Sequence, residues 1–155
     1  MRKQILIGFI LSSFFIIEGD SLSPIFKDAE KVKVCNYKKI KRNDIVFYDY
    51  KGHQRPIAKI VKGLPKDRLQ LKKAKNGWYI LINNRVLRNY YGKPYILNER
   101  AYQILSLYVA DYGGIIPDSA YLLLGVPSRG SLDSTYFGLA DEKDILGIIK
   151  KVKRR

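Results

Sequence analysis

At 155 residues and 46% apolar composition, the chain is long enough for one domain with a real core, and nothing in it marks a second. A formal charge of +15 favours anionic partners, either nucleic acid or the anionic face of a membrane, although a lysine-rich solvated surface produces the same count. One cysteine, Cys35, excludes an intramolecular disulfide and a thiolate metal site, and a lone His53 argues against zinc chemistry.

The amino terminus reads "MRKQILIGFILSSFF": two cations precede Ile5 to Ile17, a stretch without charge. It resembles the front of a secretory signal peptide, but bulky Phe14, Phe15, Ile16 and Ile17 stand where a small-residue cleavage site would follow. The segment is therefore expected to be retained, with residues 1–17 as a short apolar membrane helix and 18–155 as the folded domain. A helix over Ile5–Ile17 spans only about 20 Å against a hydrocarbon core of about 30 Å. Either the true start lies upstream, or the segment dips into the membrane with help from the domain. If Phe15 to Ile17 begin a strand, the helix is shorter still.

Beyond Pro24 the apolar residues recur mostly with period two. "KVKVCNY", "DIVFYDY" and "RPIAKIVKGL" alternate and carry β-branched and aromatic residues. "RLQLKKAKNGWYILINNRVL" predicts a hairpin around Asn76-Gly77 in a type I′ turn, with a second turn at Asn83-Asn84. One helix interrupts the strands. Asn98 caps it, Ala101, Ile104, Leu105, Tyr108 and Val109 form its apolar face, and Gly113-Gly114 ends it. "AYLLLG" and "ILGIIKKVK" supply late strands. The fold class is mainly β, an antiparallel sheet domain behind one short apolar helix.

The chemistry-bearing residues are few. No glycine-rich phosphate loop and no helical metal motif occurs, and no acidic pair stands out among the fourteen acids. "IIEGDSLSPIF" is different. An apolar run stops at an acid-glycine-acid step and leads into Ser21, three residues before Pro24, whose ring keeps the preceding residue out of the helical region. Gly19 permits close backbone approach. A nucleophilic serine is displayed this way, and so is an ordinary loop. Its base would have to be lysine, which near pKa 10.4 is neutral about once in a few thousand molecules at pH 7. Burial lowers that value, so a catalytic lysine belongs in an apolar strand. Lys59, between Ala58 and Ile60, fits; Lys62, three residues on, points to the opposite strand face. Most strand lysines are simply exposed.

"GDSLSP", "KRNDIVFY", "AKIVKGLPKD" and "GSLDSTYFG", in this order and with "WYILIN" between them, resemble the serial boxes of type I signal peptidases, the membrane-bound serine–lysine proteases. The resemblance runs through almost the whole chain. It implies that Ser21 is the nucleophile, Lys59 the general base, Ser131 the hydroxyl that orients the lysine, and Asp133 the acid bracing the site. It further implies acyl transfer in two stages that needs no metal and no cofactor, with backbone amides at Ser21 holding the oxyanion and Gly19 offering no side-chain donor. The substrate would be an extended segment with small residues before the cut, in a precursor protein carrying a signal peptide. Leu22, Pro24, Ile25 and Phe26 would contact substrate or lipid. The short chain and the ending "STYFG" also resemble the conjugative-transfer branch, which matures pilin-like precursors.

Three positions depart from the pattern. Leu22 replaces a methionine, Val126 stands where an acid commonly follows the glycine, and Thr135 replaces an arginine that pairs with the aspartate. The last two make a weakened or degenerate copy conceivable. Two other classes stay open: a non-catalytic basic β domain binding nucleic acid, for which "YYGKPY" is the weak candidate platform, and a self-cleaving serine–lysine repressor, which would carry a DNA-binding domain in front. Nucleic acid is the less favoured partner. The cations before the apolar run place "MRKQ" in the cytoplasm, with the β domain outside the inner membrane and resting on anionic lipid.

Overall fold

The computed structural model describes residues 12–153. Two antiparallel sheets make up most of it. In chain order the strands are β1 (Ser12–Ile16), β2 (Lys31–Cys35), β3 (Ile45–Tyr48), β4 (Ile57–Gly63), β5 (Leu69–Ala74), β6 (Gly77–Ile82), β7 (Arg85–Val86), β8 (Ile96–Leu97), β9 (Ala120–Leu124), β10 (Ala140–Asp141) and β11 (Ile145–Lys151). Helix α1 (Glu99–Tyr112) lies between β8 and β9, and the single turn α2 (Ser134–Phe137) lies between β9 and β10. The larger sheet runs β1-β2-β11-β3-β4-β9-β10; the smaller runs β5-β6-β7, with β8 paired to the other end of β6.

Residues 12–16 correct the expected helix. They form β1, paired antiparallel with β2, Phe14 opposite Lys33 and Ile16 opposite Lys31. The reason is period two: Phe14 and Ile16 are exposed, whereas Ile17 is buried with half-buried Phe15 packed against the same core cluster. Residues 12–17 therefore belong with the sheet, and the earlier part of the expected anchor lies outside the described residues. Among the described residues no helix is long and apolar enough to cross a membrane.

The hairpin turns exchange roles relative to expectation. Ala74 pairs with Gly77, so the first loop is Lys75-Asn76, one residue earlier than predicted. Gly77 opens β6 at φ 143°, where a Cβ would lie 2.2 Å from the Leu97 carbonyl oxygen. The mirror-image turn is the second one. Ile82 pairs with Arg85, and Asn83 and Asn84 carry φ of 51° and 68°, the left-handed pair that a two-residue hairpin loop demands. Helix α1 follows its sequence signals. The Asn98 side chain accepts from the Ala101 amide, Gly113 closes the helix at φ 62°, and Ala101 and Leu105 are buried.

Three apolar clusters fill the body. Leu69, Ile80, Tyr95, Leu105 and Leu122 hold the small sheet and α1 together. A second cluster joins Leu22 and Phe26 to Val32, Val34, Phe47, Ile60 and Val126, and a third gathers Val46, Tyr48, Val61, Tyr121 and Leu123. One polar brace ties the loop before β3 to the loop after β4. Asp67 accepts two bonds from Arg42 (2.7 and 3.0 Å), one from the Leu64 amide (2.8 Å) and one from the Asn83 side chain (2.9 Å). Burial by itself would raise the Asp67 carboxyl, but these donors outweigh it and hold the group below its usual range.

A carboxyl so depressed stabilises the fold above its unfolded value near 4, and the contribution is lost as pH falls through the lower folded value. Asp67→Ala strands these donors and is expected to cost about 2–3 kcal/mol in denaturant unfolding at pH 7. The gap to wild type should shrink as the pH is lowered below about 4.

Candidate active site

Two core side chains just past the serine anchor the Ser21 turn. Leu22 and Phe26 are 1% and 3% exposed, and the chain around them folds back through bonds from the Ser23 amide to the Asp20 carbonyl and from the Phe26 amide to the Leu22 carbonyl. Gly19 precedes it at φ 81°, its amide bonded to the Asp28 carboxylate (2.7 Å). Nothing lies within 4 Å of where a Cβ would stand on Gly19, so positive φ, not close approach, accounts for the glycine. Ser21 itself stays half-buried and faces a cleft.

Lys59 projects from β4, where it pairs with Val46 of β3, and is only 3% exposed. Its Nζ lies 2.6 Å from Ser21 Oγ and 3.0 Å from Ser131 Oγ. Burial lowers its pKa to about 8, against the opposing pull of the Asp133 charge. Lys62 goes elsewhere, donating to the Asn43 side chain at 3.1 Å.

Asp133 does not touch the lysine by hydrogen bond. It caps α2 and accepts from the Thr135 amide (2.9 Å), the Thr135 hydroxyl (2.6 Å) and the Gly125 amide (3.0 Å). Burial raises its own pKa, and those donors oppose the rise. Gly125 leaves no room for a side chain: a Cβ there would lie 2.7 Å from Ser131 Oγ and 3.0 Å from the Ser21 carbonyl oxygen. Four segments thus converge on one point, from the first loop, β4, the end of β9 and the loop before α2.

The cleft has a volume of about 750 Å³ and is lined by Phe15, Ile17, Leu22, Phe47 and Ala58 around Ser21, Lys59 and Ser131. Glu18 and Arg55 form an ion pair at its rim. His53 also borders it but is exposed, with Nδ1 2.8 Å from the Arg55 carbonyl oxygen. Among the described residues, no group of three or more His, Cys, Asp or Glu side chains could hold a metal.

Of the four residues expected to meet substrate or lipid, Leu22 lines the cleft, Pro24 is exposed, Ile25 is half-buried and Phe26 is in the core. Lipid contact through Leu22 and Phe26 does not fit side chains so deeply packed. Two of the three departures from the motif, Val126 and Thr135, have a local account. Val126 is 2% exposed in the apolar cluster under the Ser21 turn, where a carboxylate would be costly, and the Thr135 hydroxyl supplies a donor to Asp133. In "YYGKPY", Tyr90 and Tyr91 are exposed and meet edge-on, but Tyr95 is buried, which breaks the stacking platform. Sequence reasoning passed over Gly125 and Tyr95. The Tyr95 hydroxyl donates to the Gly125 carbonyl at 2.6 Å, and no periodicity or spacing signals that contact.

A lysine whose pKa is lowered by burial, beside a serine hydroxyl, can in its neutral form take the hydroxyl proton, which is the chemistry of a serine–lysine hydrolase. Comparisons with known proteins identify the family. The family described as "Signal peptidase, peptidase S26" matches residues 4–152. Signal peptidase I U of Bacillus subtilis (strain 168) is 29% identical over 138 residues, covering 86% of this chain and 71% of the relative. Signal peptidase IB of Staphylococcus aureus is 31% identical over 156 residues, covering 92% and 78%. A crystal structure of a signal peptidase I from Enterococcus faecalis V583 superposes with a TM-score of 0.52 at 23% identity, over 74% of this chain and all of that one, a likeness of fold. Matched over nearly its whole length, the chain belongs to the signal peptidase family of serine endopeptidases.

Proposed function

We propose that the chain removes signal peptides from exported precursor proteins, with Ser21 as nucleophile and Lys59 as general base. The observation that carries this is the buried Lys59 amine, 2.6 Å from Ser21 Oγ at the floor of an apolar cleft. A neutral amine has two N–H groups and one lone pair. If Ser131 Oγ accepts one N–H, the lone pair is free to face Ser21. Ser131 is thereby the orienting hydroxyl, and Asp133, through Gly125 and Thr135, the brace.

Lys59 accepts the Ser21 proton as Oγ attacks the scissile carbonyl, and the backbone amide of Ser21 stabilises the oxyanion. The resulting ammonium returns that proton to the departing amine. Neutral again, Lys59 deprotonates a water that releases the acyl group from Ser21. The cleft favours small apolar side chains before the cut, laid in extended form against β1, an edge strand of the sheet. The "TYFG" run that suggests pilin-like precursors has a packing account, Phe137 stacking on Tyr48 and Tyr50 and Gly138 lying against Tyr108, so general precursors are the preferred substrates.

The domain is proposed to work at the outer face of the inner membrane. Phe14 and Ile16 are exposed on β1 next to the cleft, and the +15 charge suits anionic lipid.

Ser21→Ala and Lys59→Met should each reduce cleavage of a signal-peptide substrate by about 10³-fold or more while circular dichroism is unchanged. Lys62→Met should keep activity; the reverse pattern would mean that the base is misassigned. Because the neutral lysine is the active form, kcat/KM should rise with pH to a plateau, half-maximal near pH 8. Asp133→Asn removes a charge that raises the Lys59 value and should move that limb to lower pH, whereas His53→Gln should leave it in place. Finally, a chain beginning at Ser12 should co-sediment with vesicles containing anionic lipid at low salt and detach at high salt. No binding at low salt would refute the lipid contact.

A further inference from the structure

Tyr95 stands outside the cleft, yet its hydroxyl is the starting point of a hydrogen-bond path that ends on the nucleophile. It lies just before β8, on the small sheet, and is 2% exposed in the cluster around Leu69 and Leu105. Its Oη donates to the Gly125 carbonyl at 2.6 Å. The same peptide unit carries the Val126 amide, which donates to the Ser21 carbonyl at 2.7 Å. On its other side, the Gly125 amide donates to Asp133 Oδ2 at 3.0 Å. The backbone beside Tyr95 adds a further tie, the Ile96 amide bonding the Ser128 carbonyl at 3.1 Å.

We propose that Tyr95 is a positioning residue for the reaction, fixing the Gly125–Val126 peptide so that this peptide in turn holds the Ser21 backbone in attack geometry. The proposal rests on Ser21 as nucleophile. A peptide whose carbonyl accepts a strong bond becomes a better donor at its N–H, so the two bonds reinforce each other in this dry setting. The peptide has little freedom to compensate for the loss of either, because Gly125 already abuts Ser131 Oγ and the Ser21 carbonyl. Burial, with a smaller contribution from the Asp133 charge, raises the Tyr95 pKa, so the hydroxyl remains a donor over the working pH range. Angular error at a nucleophile lowers turnover more than it lowers substrate affinity.

The test compares full-length Tyr95→Phe with wild type, using a fluorogenic peptide spanning a signal-peptide cleavage site. Phenylalanine keeps the ring and removes the hydroxyl. Turnover is expected to fall about tenfold, the loss of one hydrogen bond's contribution, with KM within about twofold of wild type. The pH limb set by Lys59 should not move. Ile80→Val, which trims a fully buried residue of the same cluster without touching residue 125, is the stability control; assayed below both melting temperatures, it should retain wild-type turnover. Hydrogen exchange at the Val126 amide gives a second readout, faster in Tyr95→Phe and unchanged in Ile80→Val. Wild-type turnover in Tyr95→Phe beside an inactive Ser21→Ala would overturn the positioning role alone, as would an equal loss in Ile80→Val. Full activity in Ser21→Ala would overturn the nucleophile assignment and this role with it.

Discussion

The Lys59 ammonium sits where water cannot solvate it, and much of the surrounding structure answers to that placement. Lowering its pKa from 10.5 to about 8 corresponds to roughly 3 kcal/mol of penalty on the charged form. At neutral pH about one molecule in ten then carries a neutral amine, against one in a few thousand for a solvated lysine. Burial supplies the whole of the downward push. The Asp133 charge works against it and keeps the value from falling further. The site is therefore a balance between an apolar wall and one screened carboxylate.

Maintaining that balance constrains the neighbours. Asp133 is itself buried, and it is supported by three donors from Gly125 and Thr135 instead of by a cation. An arginine beside it would add positive charge near the lysine; the Thr135 hydroxyl satisfies the same oxygen without that charge. Gly125 allows Ser131, Ser21 and Asp133 to pack around one backbone unit, since any side chain there would collide with two of the three. Leu22 and Phe26 do for the Ser21 turn what strand pairing does for Lys59. Each buries an apolar side chain in the core and so fixes the turn that presents the serine just before them.

The second sheet, which contributes no group to the cleft, is joined to the larger one by polar contacts as well as by a shared apolar cluster. Asp67 connects Arg42 before β3 to the Asn83 turn, and Tyr95 connects the small-sheet core to Gly125. Each of these contacts centres on a buried polar side chain, Asp67 or Tyr95, and so is strict about geometry in a way that apolar contacts are not. The larger sheet thus receives its precision partly from residues far from it in sequence.

Local patterns in the sequence were enough to determine most elements. Alternation marked β2, β3 and β4, because successive strand side chains point to opposite faces, and short apolar runs marked β9 and β11. Asn98 and Gly113 bounded α1 because orphan amides and carbonyls at helix ends need those residues. The likeness of four ordered boxes to a known family singled out Ser21, Lys59, Ser131 and Asp133. Local reading failed where partners lie far away. Ser12–Ile16 is as apolar as a helix would be, and only pairing with β2 makes it a strand. Lys59 meets Ser21 and Ser131 across 38 and 72 positions, and that meeting depends on the antiparallel register of the sheet and on the space left by Gly125. Burial depth, and with it the lysine's proton affinity, exists only after those strands have closed over it, which is why the residue types could be read from the chain and their chemistry could not.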